Sequence, residues 1–207
     1  MSTKSTPSLR AQRTRAALIA AGLELLVERP IDAIPIDDFV ARAGVAKGSF
    51  FNHFTDKQDY AREVAAEVRL EVEVAVARAN AGVADPIERI AGGMRVAASF
   101  ALEQPGRAMV LLRSQVPATS ADHPLNAGLK EDIAAALAAG QLRPEAREAG
   151  LLFWLGLCQV LMLRMLEGSP AAASARQQIE PMLILGLTGL GVPLLRAVEI
   201  AEAAIEA

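Results

Sequence analysis

No stretch of this chain alternates apolar and polar residues with period two for long enough to make a strand, whereas apolar residues recur every three or four positions. That property confines the chain to helices packed on helices, an all-α fold. Pro105, Pro117, Pro124, Pro144, Pro170 and Pro193 punctuate the pattern. Helices are predicted over about 9–28, 36–43, 46–53, 55–80, 86–103, 106–115, 124–139, 145–167, 171–190 and 194–205. Ala16, Ile19, Leu23 and Leu26 make the expected inner face of the first, which Pro30 ends. Thr55 is the expected cap of the fourth, with Gln58 reaching back to the Thr55 amide.

Composition removes several classes of function. At 207 residues and 52% hydrophobic content, the chain buries a core without cross-links, and disorder is excluded for most of it. One cysteine, Cys158, allows neither an internal disulfide nor a cysteine-rich zinc module. Two histidines, His53 and His123, give no metal-ligand spacing, so no metal and no cofactor are expected. No His-Glu-x-x-His, no phosphate-binding Gly-x-x-x-x-Gly-Lys and no paired-cysteine motif is present. Gly186, Gly189 and Gly191 lack both dinucleotide spacing and a preceding strand, so the chain is not read as an enzyme. The basic segment 1–23 resembles a targeting peptide only until Glu24 interrupts its apolar run. The apolar runs 151–163 and 181–195 fall short of the roughly 18 residues of a spanning helix. The expectation is a cytoplasmic chain with no membrane partner.

Charge is unevenly spread. Residues 1–62 carry nine Lys/Arg against seven Asp/Glu, and the remainder is net acidic within an overall charge of −3. A mildly basic N-terminal third on an acidic body fits a nucleic-acid reader joined to a different module. Within 10–54, three helices read as a helix-turn-helix, whose second helix of the pair enters the major groove. Phe39, Ala43, Val45, Phe50 and Phe54 supply its inner contacts, and Gly44 supplies the permissive turn. Lys47, Gly48, Ser49, Asn52 and His53 then form a small, polar outer side. Lysine bonds guanine acceptors or phosphate, asparagine pairs with adenine, and glycine lets the backbone come close.

Residues 44–57, Gly-Val-Ala-Lys-Gly-Ser-Phe-Phe-Asn-His-Phe-Thr-Asp-Lys, resemble the recognition segment of the tetracycline-repressor (TetR) family. Residues 38–43 match the helix before it, and 15–26 resemble the family's first helix. The resemblance covers about residues 10–60. It implies a dimeric, ligand-responsive transcriptional regulator, usually a repressor, acting on a palindromic double-stranded DNA operator. It also implies that Lys47, Ser49, Phe51, Asn52 and His53 face DNA and that Lys57 meets phosphate at a helix start. The family usually has tyrosine where Phe51 stands and a capping serine where Ala46 stands. Threonine is frequent near Pro35-Ile36, and alanine is common at Val40. The domain division that follows is an arm over 1–8, a helix-turn-helix DNA-binding domain over 9–60 and a ligand-binding and dimerisation domain over 61–207.

Residues 151–163 are apolar nearly all round as a helix, which means burial on two sides. One side faces the domain core and the other a second copy, with Ile179, Met182, Leu183, Gly186 and Leu190 on the following helix completing a four-helix seam. Ligand pockets are mostly apolar with a few polar anchors. Candidates are Met94, Phe100, Met109, Leu112, Trp154, Cys158 and Met162, with Arg95, Arg113, Gln115, His123, Asn126 and Gln159 as anchors. The effector expected there is small and apolar or amphipathic. The alternative is a helical dimeric ligand-binding protein whose DNA specificity is weak or lost.

Overall fold

Ten α-helices and two 3-10 turns make up the computed structural model, which describes residues 8–113, 124–168 and 172–206. No strand occurs among the described residues. α1 (Leu9–Glu28) starts at Ser8, whose hydroxyl accepts from the Ala11 amide, and stops before Pro30. A 3-10 turn, Ile31–Ala33, leads to α2 (Ile36–Ala43). Asp37 and Asp38 sit in the first turn of α2 and Arg42 in its last, each on the side that the helix dipole favours. Gly44 ends α2 at φ 66°, ψ 34°, a left-handed conformation that glycine adopts without a Cβ clash. α3 (Lys47–Phe51) follows, then α4 (Lys57–Ala79).

The cap of α4 lies one residue beyond the predicted one. Asp56, not Thr55, accepts from the Asp59 amide at 2.7 Å, and Asp59 accepts from the Thr55 amide at 2.9 Å. An ionised carboxylate is the stronger acceptor at the positive end of a helix, so the Asp56–Asp59 pair displaces Thr55–Gln58. Its backbone bond from Thr55 holds the Asp59 carboxyl below the usual carboxylate range. Gln58 turns instead to Asp32, donating at 3.0 Å.

The remaining helices are α5 (Pro86–Glu103), α6 (Pro105–Arg113), α7 (Ala127–Ala138), α8 (Ala146–Gly168), α9 (Ala172–Leu190) and α10 (Leu194–Glu206), with a 3-10 turn at Pro124–Asn126 before α7. α5 starts at Asp85, which caps the Ile87 amide, with Pro86 at its first position. The expected boundaries 86–103 and 145–167 differ from these by at most one residue at either end, and the last two residues of the expected 106–115 lie outside the described residues.

The phase of α1 differs from expectation. Its buried residues are Leu18, Ile19, Ala21, Gly22, Leu25 and Leu26, while Ala16 is exposed and Leu23 half-buried. α1 packs on α2, α4 and α6 together, so its inner face is broad and centred near Gly22. A Cβ built there would lie 2.5 Å from the Tyr60 hydroxyl and 2.6 Å from Val64 Cγ2.

Two apolar clusters result. The first joins Leu18, Leu25, Ile34, Phe39, Phe50, Phe54, Tyr60, Val64 and Val68 to Val110 of α6. The second fills the body between α5, α7, α8, α9 and α10. By length and mean hydropathy (1.8), Ala146–Glu167 is able to cross a membrane, because Arg164 ends the apolar run but not the helix. Its side chains divide instead: Trp154, Leu161 and Met165, at steps of seven and four, are buried against the body. Leu152, Val160 and Leu163 are exposed on the opposite side.

Candidate nucleic-acid interface and ligand cavity

Four aromatic rings fix the N-terminal module. Tyr60, fully buried, meets Phe39 and Phe54 at 4.8 Å and Phe50 at 5.1 Å between ring centroids. Its hydroxyl donates to the Leu18 carbonyl at 2.5 Å, tying α4 to α1. Burial pushes the Tyr60 hydroxyl well above its ordinary pKa, so it stays a donor. Phe50 and Phe54 point into this cluster and thereby set which way α3 faces.

The outer residues of α3 are left on the surface. Lys47, Gly48, Phe51 and Asn52 are exposed, and Ser49 and His53 are half-buried. Nothing lies within 4 Å of the place where a Gly48 side chain would begin. Phe51 is 54% exposed with one edge on Phe50, so it is a surface ring rather than core. Lys47 pairs with Asp37 of α2 at 2.8 Å, both side chains being largely exposed. Ala46 precedes α3 without any side-chain cap bond.

Lys57 stands differently. Its ammonium donates to the carbonyls of Ile31 (3.1 Å), Ile34 (3.0 Å) and Asp32 (3.4 Å), closing the 3-10 turn onto the start of α4. Lys57→Ala is therefore expected to lower stability by about 1.5–3 kcal/mol, the range for bonds to charged groups. Lys47→Ala, which breaks only an exposed pair, should cost under about 1 kcal/mol. Urea unfolding of both variants checks the contrast, and equal losses would sink the assignment.

The body holds a cavity of about 620 Å³ between α4, α5, α6, α7 and α8. Trp154, Cys158 and Met162 line it, as do Leu112, Asn126 and Gln159. Met94, Phe100 and Met109 are not on its wall: Met94 is fully buried in the body core, and Phe100 packs against both clusters. Methionine and aromatic content does not distinguish a core face from a cavity face, which is why these three were indistinguishable in the sequence. Arg95 is absent from the wall too, and Arg113 borders a second cleft near α1. Gln115 and His123 lie outside the described residues. Burial pushes the Cys158 thiol up to about 12, so it is a neutral wall group.

The charged members of the wall went unseen in the sequence. Arg69 and Glu73 of α4 pair at 2.7 Å, and Arg89 of α5 pairs with Asp132 of α7 at 2.6 Å. Arg69 also donates to Asn126, 1% exposed, at 3.0 Å. The only available clue was the spacing of Arg69, Val72, Glu73 and Val76, which share one face of α4. No group of three or more His, Cys, Asp or Glu side chains suited to a metal occurs among the described residues.

Two helices connect the cavity to the module. α4 gives Tyr60, Val64 and Val68 to the N-terminal cluster and Arg69, Val72 and Val76 to the cavity wall. α6 gives Val110 to that cluster and Leu111 and Leu112 to the wall.

Comparison with known proteins follows this division. Residues 18–64 match the family model described as bacterial regulatory proteins, tetR family. The HTH-type transcriptional regulator YwcC of Bacillus subtilis (strain 168), itself uncharacterized, is 33% identical over 57 residues, 28% of this chain and 26% of that protein. The match thus spans about a quarter of that relative's length. A tetR family transcription regulator from Shewanella sp. PV-4 has a TM-score of 0.74 at 18% identity, over 87% of this chain and 99% of that one. RolR in complex with its ligand resorcinol has a TM-score of 0.62 at 23% identity, over 93% and 94% of the two chains. A gamma-butyrolactone receptor, an ArpA-like protein, has a TM-score of 0.55 at 19% identity, over 95% and 99%. The class defined by fold and site is a helix-turn-helix module carried on an all-helical body. Over residues 18–64 the chain is similar to the tetR family of bacterial regulatory proteins, and its fold is that of a solved tetR family regulator.

Proposed function

We propose that this protein is a ligand-responsive, DNA-binding transcriptional regulator, a repressor that grips a palindromic operator as a dimer and leaves it when a small apolar or amphipathic effector binds. The observation that carries this reading is α3, held from inside by Phe50 while Lys47, Gly48, Phe51 and Asn52 are exposed outside. Residues 9–60 act as the DNA-binding domain, with Ser49, His53 and Lys57 completing the contact set. Lys57 contributes through the turn that it closes as well as through its charge. Residues 61–207 carry the effector site and the seam between copies.

Two recognition helices must sit about 34–36 Å apart to meet successive major grooves. An effector that prefers another spacing weakens DNA binding, because coupling between two sites is reciprocal. That α4 and α6 each contribute to both the N-terminal cluster and the cavity wall supports this reading.

The test is fluorescence anisotropy with DNA from upstream of the protein's own gene, against scrambled DNA, at two salt concentrations. A specific affinity about a thousandfold or more above the control is expected. Asn52→Ala should cost about 1–3 kcal/mol on the specific site and little on the scrambled one. The uncapped start of α3 at Ala46 and the missing hydroxyl at Phe51 favour a second reading, a ligand-binding dimer with weak or lost DNA specificity. It requires equal, strongly salt-sensitive affinity for both DNAs, and that result, repeated after selection from random DNA, would replace the first reading.

A further inference from the structure

We infer that the body cavity selects molecules with an unprotonated oxygen at one end, seated on the guanidinium of Arg69, and an apolar tail running along α4 past Trp154. The inference rests on the reading of this cavity as the effector site.

Of the other charged groups on the wall, Glu73, Arg89 and Asp132 have committed partners. Arg89 spends its Nε and Nη2 on Asp132 and its Nη1 on the carbonyls of Val83 and Ala84. Asp132 is therefore neutralised where it stands. Glu73 accepts from Arg69 Nε, and Asn126 accepts from Arg69 Nη2. Glu131 is exposed. Among the described residues that line the cavity, Arg69 Nη1 is the charged donor left without a protein partner, on a side chain only 16% exposed.

A planar guanidinium edge matches a carboxylate, phenolate or carbonyl oxygen, since it offers donors and no acceptor. A cationic head would meet Arg69 as a like charge, and the carboxylate on the wall outside the ion pairs, Glu131, is solvent-exposed. Cys158 adds no competing negative charge, because its thiol remains protonated.

Apolar residues also line the cavity, Val72 and Val76 of α4, Ile90 of α5, Leu129 of α7 and Trp154 of α8, beside the closed Arg89–Asp132 pair. From Arg69 to Val76 is seven residues, about 10 Å of helix at 1.5 Å each. That length suits a tail of about eight carbons. A head that takes Arg69 competes with Asn126 for the same guanidinium, so occupancy acts directly on the helix that begins at the N-terminal module.

Trp154 is the chain's one tryptophan and stands on the cavity wall, so its emission reports occupancy without DNA. The full-length protein is titrated with octanoate and, separately, with octylammonium, which share a tail and differ in head. Octanoate should bind at least about tenfold more tightly, a difference of about 1.4 kcal/mol. Arg69→Gln should erase or reverse the preference, weakening octanoate and, with the like charge gone and Glu73 unpaired, strengthening octylammonium. Equal affinities, a preference for octylammonium, or no emission change with either probe in the parent protein would overturn the inference. So would an Arg69→Gln protein of unchanged Tm that keeps the preference. The ranking in the parent protein stands without the variant, should Arg69→Gln fold poorly. No DNA is present, so loss of this preference and loss of operator binding are separate results.

Discussion

Tyr60→Ala should lower the stability of the N-terminal module by about 3–5 kcal/mol and abolish operator binding, although Tyr60 is placed nowhere near DNA. The estimate is that for truncating a fully buried aromatic side chain. The ring touches Phe39, Phe50 and Phe54 at once, and the Phe50 contact sets the direction of α3. Tyr60→Phe keeps the ring and loses only the bond to Leu18, so about 1 kcal/mol is expected. Urea unfolding followed by circular dichroism, with DNA anisotropy on the same samples, separates the two effects. An alanine variant within 1 kcal/mol of the parent would show that the four rings do not hold the module. Alkali gives an independent check. The folded state raises the Tyr60 pKa above its ordinary 10.0, so this contribution is complete below pH 10 and falls as the unfolded chain ionises above it.

The second large effect concerns the outer side of α8 and α9. Val160 and Leu185 are 62% and 67% exposed, with Leu152, Phe153 and Leu163 beside Val160 on α8. The double variant Val160→Asp, Leu185→Asp should unfold as the parent does, because exposed positions tolerate charge within about 0.5 kcal/mol. At a seam between two copies the same four carboxylates would be buried without partners, which no apolar contact offsets. Sedimentation should therefore give half the parent's mass. Apparent operator affinity should fall by about 10²–10⁴, the gain that two linked half-site contacts provide. A variant that sediments with the parent would place the seam elsewhere.

Much of this was legible in the sequence, for reasons that differ by element. α5 could be bounded because Asp85-Pro86 is a strong start signal and Pro105 follows its end. Gly44 could be placed because only a left-handed residue turns α2 into α3 so tightly. The face of α1 was partly legible: Ile19 and Leu26 are buried as expected, but three neighbouring helices also draw in Leu18, Gly22 and Leu25, while Ala16 is exposed and Leu23 half-buried. The cavity was half legible. Trp154, Cys158 and Met162 lie on one apolar helix, whereas Arg69, Glu73, Arg89 and Asp132 look like ordinary surface charges until α4, α5 and α7 are brought together. A sequence displays helical partners three and four apart and hides those sixty apart.

Val110 seals the cluster around Tyr60 from α6, some fifty residues downstream of the helix-turn-helix. During synthesis, then, the DNA reader remains open along α1 until residues past 110 have left the ribosome. A nascent chain long enough to expose α3 but too short to supply α6 presents a recognition helix on an unfinished base. The order of translation thus delays completion of the N-terminal module until α6, which also lines the cavity, has joined it.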